Sequence, residues 1–419
     1  GRRSNDENRG QERPLLWYSA HVEAQRKHLL RANIWKLYLM NGLQESLLIV
    51  GVLFPFLQAN GITTQQFFLL QGTHSIMFLL LQIPSGYLSD QWGRKNTLIV
   101  AALASIIGMF LFAIGTAFWQ FLLAEALLAV WSAFQSGTIE ALMYESLANG
   151  SGETNYRVMI GNLMVFSWGS QMTMSLIAGT LAALLGLRAV AWLTLPFMIG
   201  AFFVALTLRE PIRHRLRETQ HLKTMFRIAG KALSNVPLRT VIILSSTLSA
   251  MTFAMVWFTQ TFQQMVHFPL RFFGVPNAIA LLLGILVSQI TSRLMHRMDD
   301  RLLYMGIVAV VVLCFFWLSA VHGMIGIAIL LLGRASYGAI RPLVTDLVSK
   351  MTTTETRATV LSLNGFAEKL FFGIASPFIG YLADLYSLNT AIFFTAIVGG
   401  LAAVVYLFQM ISVWKEIPV

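Results

Sequence analysis

Glu45 sits near the middle of a long apolar run, with Asn41 one helical turn before it and Gln44 beside it. In a membrane-spanning helix a carboxylate at that depth costs at least about 2.5–3.5 kcal/mol, so it marks a functional candidate. Burial favours the neutral form of a carboxyl, which brings its titration towards neutrality and lets it exchange a proton. Glu45 is therefore the first candidate for proton coupling; a hydrogen-bonded structural Glu, or one touching a solute without titrating, is the alternative. Asn41, Gln44 and Glu45 are expected on one helical face.

Arg334 lies about as deep in a later apolar run, and Tyr337 and Arg341 follow it at helical spacing. A guanidinium does not readily lose its charge. It calls for an anion: Glu45, Glu368 or an acidic solute. Glu368 and Lys369 are neighbours in sequence, point in different directions on a helix and are not expected to pair. A structural Arg–Glu pair steadying the bundle competes with solute binding. Glu125 and Glu140 are further candidate proton sites, and His74 has the titration range for proton work. Glu140 is an alternative member of a gate with Glu145. Trp131 with Gln135, and Trp257 with Gln260, combine aromatic surface with amides, as a cavity for amphipathic molecules does. The competing reading for most aromatics in such runs is packing or a place at the lipid interface.

These residues are embedded in a chain of 419 residues, 56% hydrophobic and 12% charged. Its mean hydropathy is +0.66. A soluble chain carries about 25% charged residues, so lipid is the solvent for most of this one. Twelve apolar segments, each near the roughly 20 residues a spanning helix needs, are expected at 34–58, 66–88, 97–116, 118–142, 158–185, 188–207, 239–264, 274–294, 302–320, 323–347, 358–385 and 389–413; they are numbered 1 to 12 below. A basic stretch, 208–238, divides them into bundles at 34–207 and 239–413. Residues 1–33 form a polar tail and 414–419 a short terminus. No cleavable signal peptide is visible. The single cysteine, Cys314, permits no disulfide within the chain, and no Cys/His spacing suggests a metal site.

The net charge of +11 does not call for nucleic acid. Lys and Arg gather in the tail, the loops after segments 2, 4, 8 and 10, and the 208–238 stretch, whereas the opposite loops carry Arg188 and Arg271. This pattern predicts cytoplasmic termini. Residues 178–195 and 379–396 align without gaps and match at Gly179/Gly380, Leu181/Leu382, Ala182/Ala383, Leu184/Leu385, Leu187/Leu388 and Thr194/Thr395. Such duplication is typical of carriers with a site between two halves near the midplane.

The loop Gly86-Tyr-Leu-Ser-Asp90-Gln-Trp-Gly93-Arg94-Lys95 resembles the major facilitator signature G-x-x-x-D-[RK]-x-G-[RK]-[RK], with Gln91 in place of the usual base. Gly86 is expected to let two helices approach, Gly93 to permit a tight reversal, and Asp90 to meet a helix N-terminus or a cation. Ser136–Leu147 and Arg357–Leu363 resemble segments common in bacterial members. The resemblance covers residues 34–413. It implies an all-α membrane protein of the major facilitator fold: two six-helix bundles with internal repeats around a central cavity lined by segments 1, 4, 7 and 10. It further implies a gate of Gly86, Asp90, Gly93, Arg94, Lys95 and Glu145, with Arg357 nearby, that stabilises the outward-facing state.

The function implied is secondary active transport of a small organic solute across the cytoplasmic (inner) membrane by alternating access, with a proton gradient as energy source and no bound cofactor. The protein is expected to act as a monomer in the bilayer. A segment 1 carboxylate and an aromatic cavity resemble multidrug exporters, which favours efflux. Trp168–Gly179, however, lacks the Gly-Pro motif usual in segment 5 of drug/proton antiporters. Uptake or export of an anionic metabolite or iron chelate (siderophore) at Arg334 is the alternative, and a transporter-like sensor a distant one. No nucleophile–base pair or phosphate loop suggests an enzyme.

Overall fold

The computed structural model describes residues 32–147, 153–211 and 219–414. Most of the expected tail and terminus, and Arg213, Arg215 and Arg217 of the basic stretch, lie outside these residues.

The described chain is helical, and ten of its helical segments are long and apolar enough to cross a membrane. Segments 5 and 11, in helices Glu153–Leu185 and Thr354–Leu385, are long enough but are not among those ten. Polar side chains dilute them: Ser167, Ser170, Gln171 and Thr173 in one, Asn364, Glu368 and Lys369 in the other. Ten of the twelve expected segments therefore meet both length and apolarity. The basic stretch is not simply a loop, because it holds a helix, Thr219–Ser234. Segment 7 begins at Val236, earlier than expected, because Asn235 accepts a cap bond from Leu238 N and Pro237 occupies the first turn.

Segments 1, 4 and 10 are broken. Segment 1, Ala32–Ala59, is helical to residue 44, has no regular structure at 46–47, and resumes as a 3-10 turn, Leu48–Val52, and a helix, Leu53–Ala59. Pro55 contributes by removing the donor that would reach Gly51. Segment 4 splits into Phe118–Gln135 and Thr138–Leu147 because Gly137 takes φ +75°, a left-handed conformation open to glycine. Segment 10 splits at Ser336 into Ile325–Ala335 and Tyr337–Met351, with Pro342 in the second piece. Segment 7, Val236–Met265, is continuous.

Among the described residues, hydrogen bonds join the two halves at one end. Call the end where segments 1 and 7 begin the terminal face and the other the far face. Among the described residues, every hydrogen bond between the transmembrane segments of the two halves lies towards the far face. Gln65 N donates to Asp384 Oδ2 (2.9 Å), Ser376 Oγ to Phe68 O (2.6 Å), Asn277 Nδ2 to Ser175 Oγ (2.7 Å) and Thr180 Oγ1 to Arg271 O (3.3 Å), and Gln260 bridges to segment 1. The faint sequence repeat explains part of this seal. A Cβ on Gly179 would lie 2.5 Å from Leu270 O, and one on Gly380 would lie 2.7 Å from Gln65 Cα. The matched glycines thus make equivalent close approaches, segment 5 to the start of segment 8 and segment 11 to the start of segment 2. Towards the terminal face, Gly86, Gly161, Gly169 and Gly365 have open space where a Cβ would stand. A cleft therefore opens on the terminal face.

Candidate functional site

Asn41, Trp131 and Gln135 converge at the breaks in segments 1 and 4. Trp131 Nε1 donates to Gln135 Oε1 (2.6 Å), and Gln135 Nε2 donates to Asn41 Oδ1 (2.9 Å). Asn41 Nδ2 donates in turn to Ser167 Oγ of segment 5. All three side chains are buried. Ser245 Oγ makes a corresponding bond from segment 7 to Asn364 Oδ1 of segment 11, 2.5 Å, in the other half.

Glu45 stands where the segment 1 helix ends. It is partly exposed, and its carboxylate has no hydrogen bond or ion pair among the described residues. A helix C-terminus carries negative partial charge. An ionised Glu45 there draws no help from the backbone, so a proton, a cation or a solute is the natural partner. Gln44 does not join it: its side chain is fully buried, and neither amide atom has a partner among the described residues. The expected single face of Asn41, Gln44 and Glu45 is thus divided, because adjacent helical side chains diverge.

His74 and Glu125, two separate sequence candidates, form a pair. His74 Nδ1 lies 2.9 Å from Glu125 Oε2, and Gln71 Nε2 donates to Oε1 at 3.3 Å. Glu125 is buried and His74 half-buried. Glu140 is exposed and forms no ion pair with the gate among the described residues.

On the other side of the cleft, Arg334 ends the first piece of segment 10. It pairs with no carboxylate among the described residues, contrary to one expectation. Its Nη2 donates to Asn277 Oδ1 (2.6 Å), and Asn277 passes the contact on to Ser175 of the other half. Glu368 is buried beside Tyr337, and Lys369 Nζ comes 3.8 Å from Glu368 Oε1. These sequence neighbours were not expected to meet; a long, flexible Lys stem allows it. Lys369 also sits 3.7 Å over the Phe253 ring, a cation–π contact. Trp257 touches Phe67 and Phe253 edge-on, and its buried indole N–H has no partner among the described residues. Arg341, with Asp346, Ser288, Pro342, Thr345 and Ser349, lines a recess of about 470 Å³ towards the terminal face.

The terminal-face loop is assembled as the signature suggests. Arg94 Nη2 pairs with Asp90 Oδ1 (2.5 Å), its Nε with Glu145 Oε1 (3.2 Å), and its Nη1 donates to Ser89 Oγ (2.9 Å). Gly93 makes the reversal at φ +105°. One expectation fails: Gly86 faces open space rather than a close helix, because the cleft is open at this end. Asp90 meets a cation, Arg94, one of the two partners expected for it; the helix N-terminus is capped by Glu210, which accepts from Arg94 N (2.9 Å) and Lys95 N (2.7 Å). Arg357 bonds Ser349 O (3.4 Å) and no residue of the Arg94 cluster. The second half carries a related clasp, again one base between two carboxylates: Lys350 meets Asp300 (3.1 Å) and Asp346 (2.9 Å).

The Major Facilitator Superfamily model matches residues 34–373. The multidrug resistance protein MdtG of Dickeya zeae is 32% identical over 149 residues, 34% of this chain and 35% of that protein. MdtG of Escherichia coli is 33% identical over 135 residues, 32% of each. The chain thus spans about a third of the curated relatives it matches. Among solved structures, the nucleoside transporter NupG superposes with a TM-score of 0.73 at 14% identity, covering 91% of this chain and 99% of that one. A D-xylose–proton symporter gives 0.69 at 12%, covering 90% and 96%. These likenesses show the fold.

Proposed function

This chain belongs to the Major Facilitator Superfamily, and from that premise we propose that it moves a small amphipathic solute across the cytoplasmic membrane, by alternating access and driven by protons, with export as its direction. It is a non-enzymatic, multi-pass transporter. The observation that carries the proposal is the unpartnered carboxylate of Glu45 at the break in segment 1, one turn from the Asn41–Gln135–Trp131 network. Protonation there and solute binding to the aromatic and amide surface compete for one cleft, and a ligand moves a two-state equilibrium only by its differential affinity. The partial likeness to the multidrug resistance protein MdtG supports a drug-like solute. His74 with Glu125 is a second proton site in this reading. The positive loops favour a cytoplasmic terminal face and cytoplasmic termini, and in this reading the cleft faces inward.

A second reading has its own observation. Arg334 has no carboxylate partner among the described residues, and a solute carboxylate, as in an acidic metabolite or a siderophore, would supply one. Thermal stability of the purified protein against a ligand panel separates the two, since a ligand of the folded state raises apparent stability by mass action. Stabilisation by lipophilic cations, lost in Glu45→Gln, is expected. Stabilisation by polycarboxylates, lost in Arg334→Gln, would replace the first reading with the second.

A further inference from the structure

Gln260 is a sequence candidate for touching solute, yet both ends of its amide are engaged elsewhere. Its Nε2 donates to Val50 O at 2.6 Å and its Oε1 accepts from Phe54 N at 2.8 Å. Val50 and Phe54 stand four apart, so their C=O and N–H are the two groups an α-helix would join to each other. The side chain, from the opposite half, has entered the backbone ladder of segment 1 and taken both positions. The two bonds also fix the amide's orientation, because a carbonyl cannot donate and an N–H cannot accept. The local backbone is correspondingly displaced: Val52 takes φ −138°, ψ 27°, and a 3-10 turn precedes it. Gln260 is buried, and the ring contacts Phe67–Trp257 and Phe68–Phe258 flank it between the halves.

We propose that Gln260 is a positioning residue of the transport cycle, a removable insert in segment 1 that is seated while the far face is sealed and withdrawn when it opens. The proposal rests on the alternating-access reading above. Separating the halves at the far face pulls Gln260 out of segment 1. Buried backbone groups do not stay unpaired. Phe54 N–H then closes on Val50 C=O, and the 3-10 turn becomes a regular helical turn a few residues from Glu45. The far-face seal and the shape of segment 1 beneath the candidate proton site thus change together. The same exchange of partners means that opening leaves no backbone group stranded, so the seal is reversible.

The test is a distance measurement that needs no solute. Spin labels at Ala59→Cys and Tyr386→Cys, in a Cys314→Ser background, place one probe on each half at the far face, where both residues are exposed. The unsubstituted protein should show mainly the short distance. Gln260→Leu, of similar shape but unable to bridge, should raise the long-distance fraction at least about fivefold, a typical conformational coupling. Gln260→Glu keeps the acceptor for Phe54 but sets an oxygen against Val50 O, and should shift the same way. If either variant elutes and melts as a folded protein with an unchanged distance distribution, the proposal is wrong. A shift in both without any detectable transport would support Gln260's role while counting against the transport reading, so the two fail separately.

Discussion

Adding one carbon at Gly179 or Gly380 should open the far face. At Gly179 the new Cβ would meet Leu270 O at 2.5 Å and Arg271 O at 2.8 Å; at Gly380 it would meet Gln65 Cα at 2.7 Å and Phe68 Cβ at 2.9 Å. The obstacles include backbone atoms of the opposite half, which no side-chain rotation relieves. Overpacking of this kind costs about 1–3 kcal/mol. The clash exists only while the far face is sealed, so the cost falls on that state alone. The ratio of far-face-open to far-face-sealed protein should therefore rise by about 5–150-fold for Gly179→Ala or Gly380→Ala. The Ala59/Tyr386 label pair reads this directly. Gly169→Ala on segment 5 and Gly365→Ala on segment 11 are the controls, because a Cβ there meets nothing within 4 Å. If the controls shift the distances as much as Gly179→Ala and Gly380→Ala do, or if those two do not shift them at all, the glycine contacts do not form the seal.

Glu210→Ala removes the acceptor for two N–H groups at the start of segment 3 and should lower stability by about 0.5–1 kcal/mol, visible as a modest fall in melting temperature. Gln135→Leu breaks the bridge between segments 1 and 4 and leaves the Trp131 indole and the Asn41 amide each short of a partner, a loss of about 1–3 kcal/mol checked by thermal melting. Arg334→Lys keeps the charge but loses the planar fork; if Arg334 grips a carboxylate through two bonds, transport of an acidic solute should fall well below that of the unsubstituted protein. Equal transport would assign Arg334 a simple charge role.

The helical segments and the signature loop were legible because they rest on local rules: long apolar runs, basic loops, and a glycine at the Gly93 reversal. The breaks were harder. Pro55 and Pro342 stood in the sequence, but no local rule says that Gln260, 210 residues from Val50, enters the ladder of segment 1. His74 and Glu125 were visible singly; their pairing depends on how segments 2 and 4 pack. Glu210 carries no local signal in the sequence, and only the fold brings it to the helix that follows Gly93. Gly86 shows a different limit. A glycine suited to close packing finds open space, because which helices meet is set by the packing of whole segments and not by the local motif. The matched pair Gly179 and Gly380 is the opposite case, where a faint repeat in the sequence marked contacts that the structure makes twice.

Whether protons entering at Glu45 drive the export of an amphipathic solute is decided in proteoliposomes. A fluorescent lipophilic cation is followed under an imposed pH gradient, for the unsubstituted protein and for Glu45→Gln. Proton-driven export through Glu45 should give accumulation that a protonophore abolishes and that Glu45→Gln loses, while solute–solute exchange persists in the variant. Gradient-driven accumulation of the same compound by Glu45→Gln, or accumulation that follows sodium instead of protons, would contradict it.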